Sequence, residues 1–168
     1  MRSTLRTGLA TALAVSSLVF APGAKAAPVG ERVGSLIIKV AQAPPTIVNV
    51  AHPEGGPGGA SYYEADLTRD GKPFGRLLGT ILQSDVTPDS SGLEVRMRTL
   101  VFDLPEGQVV AIGASEYKLP LVGNVPALRA AAKIAIVGGT GKYSAARGEV
   151  TTVRNPEGTY DHVLSVVK

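Results

Sequence analysis

A carboxylate at Glu64, a guanidinium at Arg147 and an imidazole at His162 are the groups of this 168-residue chain best placed by type to do chemistry. Glu64 lies in an extended run where Tyr62, Glu64 and Asp66 share one face and Tyr63, Ala65 and Leu67 the other, because alternate strand residues point to opposite sides. If the first face looks into an enclosed space, burial raises the carboxyl pKa and makes Glu64 a usable general acid or base. If it does not, the same three residues form a solvated outer face behind an apolar inner one. Arg147 is a permanently charged fork that could bind a carboxylate or a quinone-like oxygen, or tie its own loop to a neighbouring acid. His162 shares a face with Tyr160 and Leu164 and titrates near neutrality unless burial shifts it; a lone strand histidine is also an ordinary packing residue. Arg76 could line an interior or the outside. In the run from 93 to 101, Leu93, Val95, Met97, Thr99 and Val101 alternate with Glu94, Arg96 and Arg98, so the two arginines are expected to face solvent.

Several chemistries lack their residues. His52 and His162 are the only histidines and no clustered ligand motif accompanies them, so no metal site is expected. The chain has no cysteine, which removes thiol nucleophiles and disulfides, and no Gly-x-Ser-x-Gly elbow. The glycine-rich stretch from 137 to 148 imitates two nucleotide motifs without meeting either. A P-loop needs glycine where Ile136 stands and Ser or Thr where Tyr143 stands. A dinucleotide fingerprint needs a third small residue opening a long helix, whereas Ser144 is followed almost at once by a strand. No cofactor is expected.

Residues 1–26 read as an export signal: Arg2 and Arg6, an apolar run from 9 to 20, then Ala24-Lys25-Ala26 with small residues at a cleavage site. The run is too short for a permanent anchor, so the mature protein is expected to be secreted or periplasmic, with residues 27–34 a flexible lead-in and 35–168 one domain. Removing Arg2, Arg6 and Lys25 leaves 14 basic against 14 acidic residues. The electrostatic footprint of a nucleic-acid binder is therefore missing.

The elements that must position these side chains are strands. From residue 35 onward, runs rich in Val, Ile, Leu and Tyr are separated by Gly, Pro, Asp and Asn clusters. Eight strands are predicted: 36–50, interrupted at Pro44-Pro45; 61–68; 73–86 after the hairpin dipeptide Asp70-Gly71; 93–104; 108–117; 133–137; 147–154; and 158–167 after the turn Asn155-Pro-Glu-Gly158. Between 118 and 131 an irregular crossing is predicted, with a short helix begun by Pro126. Eight antiparallel strands can close into a barrel that holds packed side chains or one small ligand.

The order Val137-Gly-Gly-Thr-Gly-Lys-Tyr-x-x-Ala-Arg-Gly148 resembles the hallmark of the allene oxide cyclase and dirigent superfamily. The run from Phe74 to Gln83 is similar to the third strand of dirigent proteins, and Val101 to Gly113 to a hairpin of bacterial members. The resemblance spans about 60–168 and implies an eight-stranded antiparallel β-barrel, commonly a trimer. It implies an apolar small organic ligand held so that it cyclises or couples with one stereochemical outcome, without cofactor; a lipocalin-like carrier or an interaction barrel without turnover is the alternative. By the resemblance, Glu64 falls where dirigent proteins place the first of two pocket acids, with Ala65 replacing the second. Arg147 matches the motif arginine near the pocket, and His162 stands where relatives often have tyrosine. Tyr62, Arg76, Tyr143 and Tyr160 complete the expected ligand contacts. Lys142 replaces an acid that some dirigent proteins carry. The first strand lacks the glutamate, and the chain the cysteine, on which plant allene oxide cyclases rely.

Overall fold

The computed structural model describes residues 35–50, 58–84, 93–122, 125–128 and 131–167. The expected leader and lead-in, 1–34, lie outside them. The β-branched and aromatic runs form ten strands: β1 (Leu36–Gln42), β2 (Thr46–Val50), β3 (Ala60–Arg69), β4 (Lys72–Gln83), β5 (Leu93–Leu104), β6 (Gly107–Val122), β7 (Val125–Leu128), β8 (Ala132–Gly139), β9 (Arg147–Arg154) and β10 (Tyr160–Val167). The sheet runs β1-β10-β9-β8-β6-β5-β4-β3, every pairing antiparallel, and returns to β1 through Ala41↔Thr68 and Gln42↔Leu67. It is a closed eight-stranded barrel. β2 continues the path of β1 after the break at Pro44-Pro45 and lies along β3 alone, while β7 is an addition beside β6.

Local chemistry fixes the connections. Asp70 and Gly71 both take positive φ, 51° and 72°, and join Arg69 to its partner Lys72 in the two-residue turn that this dipeptide favours. The Gly158 amide donates to the Asn155 carbonyl at 3.1 Å, closing the turn between β9 and β10. The predicted helix at Pro126 is corrected: β6 runs on to Val122 and the segment after it pairs back as β7, so the ladder continues where proline was expected to start a helical turn.

The interior has two zones. The lower zone is apolar, built from Ile38, Leu77, Leu100, Phe102, Val109 and Leu164 with other buried residues of the same cluster. The glycine-rich stretch covers its open end. After β8 the chain makes a single 3-10 turn, Gly141–Tyr143, and drops Tyr143 and Ala146 into the apolar cluster. Gly141 has φ +57°, and a side chain there would run into the Glu106 carbonyl of the β5–β6 turn, so glycine is needed on both counts. The Lys142 amide donates to that same carbonyl at 2.8 Å. Lys142 Nζ also reaches the Glu106 carboxylate at 2.8 Å, which explains the lysine: it clamps the turn to the hairpin.

Candidate polar chamber of the barrel

Above this floor the interior changes character. The inward positions at the other end include Gln42 on β1, Tyr63 on β3, Gln83 on β4, Glu94, Arg96 and Arg98 on β5, Ser115 and Tyr117 on β6, Thr152 and Arg154 on β9, and Tyr160 and His162 on β10. Arg96 and Arg98 are 5% and 4% exposed while Met97 between them is 46% exposed. The expectation that the two arginines face solvent is therefore reversed. The alternation holds, but its two faces are exchanged, because Glu94, Arg96 and Arg98 share their parity with Leu100, Phe102 and Leu104, which fill the floor.

Burial of these charges is met unequally. Arg96 donates from Nε and Nη2 to both oxygens of Glu94 at 3.0 and 2.8 Å, a bidentate pair that is nearly solvent-free. The guanidinium also sits 5.3 Å from the centre of the Tyr117 ring. Arg98, two residues further in, donates from Nη1 to Ser115 Oγ at 3.4 Å, and its Nε is buried without a partner. No carboxylate among the described residues pairs with it. Arg154 Nε is likewise buried and unpartnered.

His162 is 1% exposed and held on both ring nitrogens. Thr152 Oγ1 lies 2.9 Å from Nδ1, and Gln42 Oε1 lies 2.9 Å from Nε2. Gln42 uses its amide nitrogen on the Ala43 carbonyl, so its oxygen accepts from Nε2–H and the threonine hydroxyl donates to Nδ1. Burial, assisted by the Arg98 cation, pulls the imidazole down to about 3, so it is neutral across ordinary pH. The Phe102 ring meets it edge-on at 5.2 Å and the Tyr160 ring stacks at 6.4 Å.

Three tyrosines converge at the same end of the interior. Burial pushes Tyr117 up to about 12 and raises Tyr63 and Tyr160, with Arg98 opposing the rise at each. All three stay protonated and can donate. Tyr63 reaches inward because Gly79, its partner on β4, has no side chain: a methyl group there would overlap the tyrosine ring.

The residues singled out from sequence divide between inside and outside. His162 and Tyr160 face the polar chamber, and Tyr143 lies in the floor beneath it. Tyr62 and Glu64 point outward, the register of β3 having committed Ala65 and Leu67 to the core. They line a shallow outer groove of about 390 Å³ with Val48, Leu78, Thr80 and Val101. Arg76 is outside as well, paired with Asp103 at 3.1 Å. Arg147 is exposed and donates to the adjacent Ala146 carbonyl at 2.8 Å. Of the two orientations left open for Glu64, the register of β3 gives the outward one, and Tyr62, Arg76 and Arg147 likewise lie outside the barrel interior. Sequence analysis did not single out Gln42, Tyr117 and Thr152, left Tyr63 without a role, and set Arg96 and Arg98 on the solvent face. Among the described residues, no three metal-ligating side chains gather, and no helix is long and apolar enough to cross a membrane.

A pyocyanin demethylase superimposes with a TM-score of 0.63 at 22% identity, over 78% of this chain and 99% of that one. The chain shares its barrel fold. AbnU, an exo-specific intermolecular Diels-Alderase, superimposes with a TM-score of 0.57 at 14% identity, over 80% of this chain and 99% of that one. No protein-family model matches the chain, and no curated protein sequence does.

Proposed function

We propose that this protein takes a small, largely apolar organic molecule into its barrel and steers its cyclisation or stereoselective coupling without a cofactor. The observation that carries the reading is the convergence of Tyr63, Tyr117, Tyr160 and Arg98 above an apolar floor closed by Tyr143 and Phe102. Apolar walls press a flexible guest into a folded, near-attack shape. Protonated phenols and a guanidinium then steady negative charge that develops on its oxygens. The remaining groups are poorly suited to proton abstraction. Glu94 is occupied by Arg96, and His162 is neutral with both nitrogens engaged. Guidance of a reactive conformation fits this set better than general base catalysis. That a barrel of the same fold is a Diels-Alderase supports the reading.

The export signal read at 1–26 supports an activity outside the cytoplasm. Homo-trimer formation fits the outer wall, where Val48, Val50, Tyr62, Leu82 and Met97 are exposed on neighbouring strands. Carriage without turnover is the rival reading, favoured by the same occupied Glu94 and His162.

The test is native mass spectrometry of protein purified from its producing cells, followed by turnover of whatever is released. A retained organic molecule that the protein converts supports steering, and one returned unchanged supports carriage. Protein that carries nothing, and that no organic molecule from the same cells stabilises, would end both readings.

A further inference from the structure

We infer that the guest is an organic acid and that its ionised carboxylate seats on Arg98. This inference rests on the interior-guest reading and names the class of molecule that reading leaves open.

Three observations carry it. Arg98 is a guanidinium 4% exposed, inside the barrel, with no carboxylate partner among the described residues. A buried charge without a counter-charge is costly, which is why such groups are paired in nearly every fold. The neighbouring Glu94 does not relieve it, being held on both oxygens by Arg96. The barrel thus contains one arginine neutralised by its own acid and another left with Ser115 Oγ at 3.4 Å and the nearby Tyr63 hydroxyl.

Second, the idle donor is of the right kind. Arg96 holds the Glu94 carboxylate through Nε and Nη2; in Arg98 the bond to Ser115 uses Nη1, and Nε has no acceptor. Of the Nε/Nη2 edge that grips a carboxylate two residues away, Arg98 leaves Nε without an acceptor. A planar two-oxygen anion satisfies such a fork in a way that a neutral carbonyl does not.

Third, the surroundings select against a cation and supply more donors. Arg96 and Arg154 face the same chamber, and Arg154 Nε is a second buried donor without an acceptor. Tyr63, Tyr117 and Tyr160 keep their protons and can donate to the anion. With Glu94 as the single acid among these described inward groups and His162 neutral, the chamber carries a positive surplus that an incoming carboxylate offsets.

The experiment uses matched pairs of acid and amide in three sizes: benzoate and benzamide, cinnamate and cinnamamide, 2-naphthoate and 2-naphthamide. Binding is measured by calorimetry to the full protein, to Arg98→Met and to Arg98→Lys, with the melting temperature of each ligand-free variant recorded. The best-fitting acid is expected to bind the native protein on the order of tenfold to a hundredfold more tightly than its amide, the worth of hydrogen bonds to a charged group. Arg98→Met is expected to lose that preference while melting no lower than the native protein, since an unpaired buried charge has been removed. Arg98→Lys, which keeps the charge and loses the fork, should retain part of it. Equal binding of acid and amide to the native protein leaves a guest site standing and overturns the carboxylate. An acid preference that survives in Arg98→Met places the anion elsewhere and overturns it as well. If no probe of either kind binds, the interior-guest reading fails and the inference fails with it.

Discussion

His162 illustrates how a titratable side chain becomes a structural one. Its two nitrogens bridge β9 and β1 through Thr152 and Gln42, and burial holds its folded-state pKa near 3, below the ordinary 6.5. Because the unfolded chain takes up the proton first, stability is full above about pH 6.5 and is lost as pH falls toward 3. The slope reaches at most one proton's worth, about 1.4 kcal/mol per pH unit. Urea midpoints measured from pH 7 to pH 4 should show it, and His162→Gln should flatten this part of the decline; an unchanged slope in the variant would assign the acid sensitivity elsewhere. Glu94 poses a different case. Glu94→Gln leaves Arg96 buried without its counter-charge and is expected to cost about 3–5 kcal/mol by chemical denaturation. Replacing both, as Glu94→Gln with Arg96→Met, should recover most of that loss.

At the scale of single elements, β5 and β3 depend on neighbours that make room for them. Gly79→Val would drive the Tyr63 ring out of the chamber, and overpacking of this sort costs about 1–3 kcal/mol. Ionisation of one more tyrosine in the ordinary range, seen as added phenolate absorbance on titration to high pH, would report the displacement separately from stability. Phe102→Ala, which empties the floor beneath His162, should cost about 3–5 kcal/mol. The strands themselves were legible in sequence: eight segments, the Asp70-Gly71 hairpin, the break at Pro44-Pro45 and the role of the glycines all read from composition and turn chemistry. The inward face of β5 was not. Its first half, from 93 to 99, has apolar residues at the odd positions, and local alternation points the arginines outward. The parity becomes decisive only past Thr99, where Leu100, Phe102 and Leu104 claim the interior. A strand that is apolar on one face at one end and polar on that face at the other marks a barrel with two zones, and following one parity along the full twelve residues would have revealed it. Glu64 was ambiguous because register is a property of the sheet: Ala65 and Leu67 face inward only because β4 and β1 meet them there.

For the whole molecule, the closed sheet leaves an outer surface whose apolar residues line up across strands. Val50, Ala60, Leu82 and Met97 form one cross-strand row, and Val48, Tyr62 and Thr80 the next. If this wall joins copies of the chain, Leu82→Glu with Met97→Glu should reduce the mass in light scattering from that of a trimer to that of a monomer, with little change in the urea midpoint measured on dilute protein. A native protein that scatters as a monomer would remove the trimer. The sealed apolar end has a kinetic corollary for any turnover. With Tyr143 and Ala146 buried in the apolar floor, neither arrival nor departure runs through that end, so a molecule cannot be pushed out through it by its successor. Product should then compete with substrate for the empty barrel, giving inhibition that raises the apparent KM and leaves kcat untouched.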